Sequence, residues 1–404
     1  MLTFLLAFAT SGGALAYNRF QSNIDTHDIG DLLGTDRPTV SEDVETADDA
    51  HAGQTLNLLF MGTDSREGDN AELDGSGTTT GMRADTTLLV QVPADRKGLT
   101  VVSIPRDTLV DIPACTRPDG TESSPQSQAM FNSAFNTGSG GTSVAHGAAC
   151  TIKTVEALTG VLIDDFVVVD FAGFIGLIDA LDGIPMYVEE DITSKEAQLE
   201  LTAGCQILNG EDALGFARVR KGVSDGSDIA RIGRQQDLLM AVIEDALSSR
   251  VLTNPAMLYE VADAATQTIT TGRDIGNLTT IVGLAYSMRN VDLDQIQFIT
   301  MPFDWAGDRV VPSPLYAEDV WQALRTRQPV DPRLSGVGWE ITEQLAKDEA
   351  AEQATDEPTD DATDDPTSEP TTAPTDNATD IPTIAPTDEA TGDENVCTRE
   401  TARS

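Results

Sequence analysis

Two apolar runs, Thr86–Val92 and Leu99–Ile104, stand on either side of Pro93-Ala-Asp-Arg-Lys-Gly98. Runs of this length read as strands, and a connection so short joins them as an antiparallel hairpin. That hairpin constrains the fold more than any other feature, because the rest of the chain alternates between strand and helix. Leu56–Met61 is a short apolar run that ends in Gly62-Thr63-Asp64-Ser65, a buried strand entering a loop. Phe166–Asp170 and Ile184–Val188 are strand-like, with an apolar helix expected between them from Phe171 to Leu181. Asn209 followed by Asp212 marks a helix start. Between Ser227 and Ser248, Ile232, Leu239, Ile243 and Ala246 recur at helical spacing and define an amphipathic helix. Pro255–Thr270 and Asn277–Met288 are expected helices, and Ile296–Met301 is expected as a late strand. The fold class implied is α/β: an α/β/α sandwich on a mixed central sheet with an inserted β-hairpin.

Charge divides the chain into parts. The 404 residues carry 25 Lys and Arg against 67 Asp and Glu, a net −42. Residues 348–394 hold 16 of the acids and no Lys or Arg, in repeats of Pro, Thr, Asp and Ala. So little apolar surface cannot offset the cost of ordering, and 348–404 is expected as a disordered acidic tail. Residues 1–17 contain no charge and suit an N-terminal membrane anchor or a signal segment. Residues 18–52 are expected as a linker, 53–310 as the folded domain and 311–347 as a C-terminal extension. A balance this acidic argues against nucleic acid as a partner, since a phosphate backbone needs a basic face. The three histidines are far apart, which disfavours a histidine-rich metal site. Export would permit disulfides. Cys115 and Cys150 bracket a Gly/Ser/Asn-rich stretch without strong secondary-structure signals, so a bridge there would close a loop and contribute roughly 3–4 kcal/mol. Cys205 and Cys397 are the remaining pair, and free or buried thiols are the alternative for both.

Against so acidic a background the grouping of arginines is informative. Arg83-Ala-Asp85 opens the hairpin, and Arg106-Asp107-Thr108 follows it. Arg218-Val-Arg220 and Asp228-Ile-Ala-Arg231-Ile-Gly-Arg234-Gln235-Gln236 come later. Arg231 and Gln235 are four apart and share a helical face. Guanidinium forks suit phosphate oxygens, and several converging forks suit a diphosphate. Asp64 and Asp85 stand at strand ends, where two carboxylates would hold a Mg²⁺ that keeps several waters. Ordinary roles explain each residue singly: Arg83, Arg218 and Arg220 as surface ion-pair partners, Asp228 as a helix cap, Asp64 as a turn former.

In their order and internal spacing, Gly62-Thr-Asp64-Ser-Arg66, Arg83-Ala-Asp85-Thr, Ser103-Ile-Pro-Arg106-Asp107-Thr, Phe131-Asn132-Ser-Ala-Phe, Asn209-Gly-Glu-Asp-Ala-Leu214, Ala217-Arg218-Val-Arg220 and Asp228 to Gln236 resemble the LytR–CpsA–Psr family of cell-wall glycopolymer ligases. The resemblance covers residues 55–250 most strongly. It implies a phosphotransferase held at the cell membrane by a single-pass anchor, with its catalytic domain outside the cell. Its substrates would be a polyprenyl-pyrophosphate-linked glycopolymer and peptidoglycan. Carried over residue by residue, Asp64 and Asp85 would bind Mg²⁺, while Arg83, Arg106, Arg218, Arg220 and Arg231 would hold the pyrophosphate. Asp107 would orient an arginine or the incoming hydroxyl, and Gln235, Asn132 and Arg234 would touch substrate. The apolar segments 162–184 and the helix from Ile229 would wall a pocket for the polyprenyl tail. Two departures stand out: Met130 occupies a position that is basic in many relatives, and the insertion Glu67–Gly81 is long. A polyprenyl-pyrophosphate phosphatase and a non-catalytic lipid- or glycan-binding envelope protein are the competing readings.

Overall fold

The computed structural model describes residues 14–39, 53–64, 81–219, 228–289, 291–355 and 397–403. Its centre is a seven-stranded sheet built from β1 (Asp25–His27), β2 (Leu56–Thr63), β3 (Ala84–Val92), β4 (Leu99–Ser103), β5 (Asp165–Asp170), β6 (Ile269–Gly272) and β7 (Ile296–Thr300). The spatial order is β1-β6-β5-β2-β3-β4-β7. β2, β3 and β4 run antiparallel in succession, whereas β5 lies parallel to β2 and β7 parallel to β4. β6 is antiparallel to β5 and carries β1 parallel on its outer edge. The sheet is therefore mixed, as the hairpin required.

Alternation along the strands sends side chains to two different cores. Leu59, Met61, Leu89, Val102 and Phe166 enter the larger one. It is closed by helices α1 (Ser133–Ser139), α2 (Val144–Thr159) and, further along the chain, residues 317–326. Leu58, Phe60, Leu88 and Val90 face the other way. Over that second face lie α3 (Phe171–Ala180), α4 (Gly210–Arg218) and α5 (Asp228–Ala246), packed around a separate apolar cluster with Ile184–Val188. Asp170 caps α3 by accepting from Gly173 N, and Asn209 caps α4 by accepting from Asp212 N.

Several boundaries differ from the sequence reading. Residues 25–27 form the edge strand β1, although they fall within the expected linker. Helix Pro255–Thr268 stops short of Thr270 because Ile269-Thr-Thr271, a β-branched run, joins the sheet as β6. The domain also continues past residue 310, since Val320, Trp321 and Leu324 are buried in the larger core. The stretch between Cys115 and Cys150 contains strand Gln126–Met130, helix α1 and the start of α2. Its glycines hid those helices: a Cβ on Gly147 would lie 2.6 Å from the Phe135 ring, so the residue that weakens helix propensity is the one the packing needs.

Cys115 and Cys150 are bridged, with Cα atoms 5.4 Å apart. Cys205 and Cys397 form a second bridge across 192 residues of sequence. The end of the expected tail is therefore fastened to the domain. Arg399, two residues beyond Cys397, donates to the Asp245 carboxylate on α5 (2.8 Å) and to the carbonyl oxygens of Leu181 (2.6 Å) and Gly183.

Candidate functional site

A cavity of about 500 Å³ lies between the second sheet face and helices α3, α4 and α5. One end is apolar, walled by Phe60 and Leu88 from the sheet and by Phe174, Leu177, Leu214, Leu238, Leu239 and Val242 from the helices. The other end is polar, lined by Asp85, Thr86, Arg106, Asp170, Arg218, Arg231, Gln235 and Gln236.

Local structure explains why these side chains meet. Gly62 pairs with Thr86 and Thr63 with Ala84, so Asp85 is the extra residue of a β-bulge in β3. A bulge re-aims a side chain, and here it turns Asp85 to the cavity. Arg106 lies in the Pro105–Thr108 turn that follows β4, and its Nη1 donates to Asp85 Oδ1 at 2.9 Å. Arg218 closes the last turn of α4, with its guanidinium 4.6 Å from the centre of the Phe171 ring. Arg231 sits in the first turn of α5, is only 4% exposed, and donates to the Asp85 carbonyl at 3.4 Å. Three guanidinium groups from three separate parts of the chain thus share the polar end of an apolar cavity with Asp85 and Asp170, in a chain of net charge −42.

The other expected site residues take different places. Gln235 lines the cavity, and its amide donates to Ala217 O at 3.0 Å, which ties α5 to α4. Arg234 does not line the cavity; it turns to Val219 O (2.5 Å) and braces the chain beyond α4. Arg83 is exposed and lies off the cavity wall, while its backbone N–H donates to Asp64 Oδ1 at 2.7 Å. Asp107 is also off the wall and lies between Arg106 Nε (3.8 Å) and Arg309 Nη1 (3.1 Å). Arg220 lies outside the described residues. Gln236 and Arg309 were missed. Gln236 lines the cavity and donates to Ser103 Oγ at 3.0 Å, and its place next to Gln235 was the available signal. Arg309 had none, being nearly 75 residues beyond the last motif.

Magnesium needs hard oxygen donors. Asn132 is buried and its Nδ2 lies 3.4 Å from Asp85 Oδ1, while its own Oδ1 has no hydrogen-bond partner among the described residues. A buried orphan oxygen beside a carboxylate fits such a cation. Asp64, the residue after β2, accepts from Arg83 N through Oδ1 and would be the second carboxylate of the strand-end pair, but it does not line the cavity. Among the described residues no three His, Cys, Asp or Glu side chains cluster as a metal cage.

A mixed α/β domain with arginines at one end of a greasy cavity has room and charge for an anion attached to an apolar chain. The chain belongs to the LytR_cpsA_psr family, whose model matches residues 16–327. It is 30% identical over 237 residues to the probable cell wall biosynthesis protein LcpB of Corynebacterium glutamicum, covering 58% of this chain and 52% of that protein. It is 31% identical over 221 residues to the polyisoprenyl-teichoic acid–peptidoglycan teichoic acid transferase TagV of Bacillus subtilis, covering 54% of this chain and 49% of that protein. The chain thus spans about half the length of these curated relatives. The crystal structure of B. subtilis TagV aligns with a TM-score of 0.52 at 26% identity, covering 69% of this chain and 99% of that one. A LytR-Csp2A-Psr enzyme from Actinomyces oris aligns at 22% identity and a TM-score of 0.52 over 76% of this chain and 97% of that one, a likeness of fold.

Proposed function

We propose that the protein is a phosphotransferase that moves a phosphate-linked glycopolymer from a polyprenyl-pyrophosphate carrier to peptidoglycan. One observation carries this reading: Arg106, Arg218 and Arg231 converge with Asp85 where an apolar cavity opens. The cavity suits the polyprenyl chain and the guanidinium forks suit the diphosphate. The name of the TagV relative, a teichoic acid transferase, supports the same chemistry.

In this mechanism a sugar hydroxyl attacks the phosphorus next to the glycopolymer. A new P–O bond forms to the acceptor, the bond to the bridging oxygen breaks, and polyprenyl phosphate departs with the electron pair. The hydroxyl proton is released to solvent. Arg106, Arg218 and Arg231 hold the phosphate oxygens and offset charge on the leaving group. Thr86 and Gln236 add hydrogen-bonding groups to the same wall. Mg²⁺ bound at Asp64 and Asp85 would supply further positive charge beside the phosphates. The apolar wall excludes water from the leaving-group side, which favours transfer over hydrolysis.

Action outside the membrane belongs to the same proposal. Two disulfides suit an oxidising compartment. Among the described residues no helix is long and apolar enough to cross a membrane, and the proposed anchor, residues 1–17, falls largely outside them.

Arg106→Ala and Arg231→Ala should each lower transfer of a labelled glycopolymer by about 100-fold or more, in line with the loss of a transition-state charge partner. Near-UV circular dichroism checks that the fold is kept. A folded variant with wild-type turnover would sink the assignment.

A further inference from the structure

Arg309, well beyond the last sequence motif, is linked through Asp107 to Arg106 on the cavity wall. Strands Phe303–Ala306 and Arg309–Pro312 form a hairpin whose second strand meets the segment after β4, through a bridge between Thr108 and Val310. That bridge sets Arg309 beside Asp107, and its Nη1 lies 3.1 Å from Asp107 Oδ1. Asp107 is 3.8 Å from Arg106 Nε, and Arg106 donates to Asp85 at 2.9 Å. The result is a line of alternating charge, Asp85–Arg106–Asp107–Arg309, running from the cavity outward. Arg106 is on the cavity wall, whereas Asp107 and Arg309 are not. The Asp107 side chain is 15% exposed and that of Arg309 is 42% exposed, so the line ends in solvent.

An in-line displacement fixes the direction from which the acceptor must come. The leaving polyprenyl phosphate fills the cavity, so the nucleophile enters from the opposite side of the phosphorus, outside the apolar wall. Asp107 and Arg309 both lie off the cavity wall, and Arg309 reaches solvent. A guanidinium has five N–H donors, and a half-exposed one that uses Nη1 on a carboxylate still presents others to a ligand. Hydroxyls and carboxylates of a glycan are suitable acceptors for them.

We propose that Arg309 is the acceptor-side positioning residue: it fixes Asp107 against Arg106 and offers its outward N–H groups to a hydroxyl- and carboxylate-bearing glycan. This rests on the transferase reading above. It adds a site on the C-terminal hairpin that the cavity does not include.

The test uses the full chain with Arg309→Gln and Arg309→Lys. Three quantities are measured: affinity for a polyprenyl-pyrophosphate donor, KM for a soluble peptidoglycan oligosaccharide, and equilibrium binding of that oligosaccharide without donor. Arg309→Gln should raise the acceptor KM about tenfold and weaken oligosaccharide binding to match, with donor affinity within about twofold of wild type. Arg309→Lys, which keeps the charge without the fork, should recover part of the loss. Equal loss of donor and acceptor affinity, or no change in either acceptor measurement, overturns the proposal. If the wild-type protein binds the oligosaccharide but never transfers to it, the ligase reading fails, while the binding comparison still decides the role of Arg309. A wild-type protein that does not bind the oligosaccharide overturns the role of Arg309 directly.

Discussion

Asp85 reaches the cavity because one residue too many is fitted into β3, and Arg231 reaches Asp85 because it opens a helix directly over that strand. Such placements decide which of several similar arginines matter. Arg106, Arg218 and Arg231 were legible because each stands at the end of an element, where the chain turns toward a neighbour. Arg234 looked equivalent, yet consecutive positions on a helix differ by about 100°, so Arg234 faces the Val219 carbonyl while Gln235 faces the cavity. No spacing rule gives that direction without knowledge of what packs on each side. Among the titrating groups, His146 lies at the start of α2 with its ring Nδ1 2.8 Å from Ser143 Oγ. Burial, helped by the charge of His27, holds its pKa below the ordinary histidine value. Above that ordinary value both folded and unfolded chains are neutral at this residue, and its contribution to stability is complete. As pH falls, the unfolded chain takes the proton first, so stability declines until the folded pKa is passed. His146→Gln should flatten the urea-midpoint curve below about pH 6.5; an unchanged slope would remove His146 from the account.

At the scale of elements, the cavity exists because α3, α4 and α5 pack on one another rather than directly on the sheet beneath them. Their apolar residues serve both the cluster and the cavity wall, so periodicity alone left core and lipid pocket equally open. Strands, by contrast, were largely legible where runs were long: β2, β3, β4, β5 and β7 all fall where apolar runs placed them. β1 and β6 were not, because three or four residues, Asp25–His27 and Ile269–Gly272, carry too little pattern and gain their pairing from tertiary context. The wall can be tested by filling it. Val242→Trp should block the apolar end, lowering affinity for a long-chain polyprenyl donor at least tenfold while a short-chain analogue binds within about threefold of wild type, as expected when lost apolar contact is the main cost. Equal losses for both chain lengths would mean that the apolar end does not hold the lipid.

For the molecule as a whole, the largest surprise concerns its carboxyl-terminal end. Composition marks 348–394 as a stretch that cannot build a core, but it cannot reveal that Cys397 and Arg399 find Cys205 and Asp245. Partners so far apart in sequence leave no periodic trace. A bridge across 192 residues is worth about 5 kcal/mol on the loop-entropy relation. With a protease site engineered between Thr355 and Cys397, the cut protein should run as one species on a non-reducing gel and as two after reduction. Release of a fragment without reductant would show that the bridge does not form. The covalent path from Cys205 to Cys397 is thus a ring, with the acidic sequence as one arc of it. A single break in that arc would change the connectivity of this molecule without shedding any of its mass, so its negatively charged arc would survive wear that strips a free terminus.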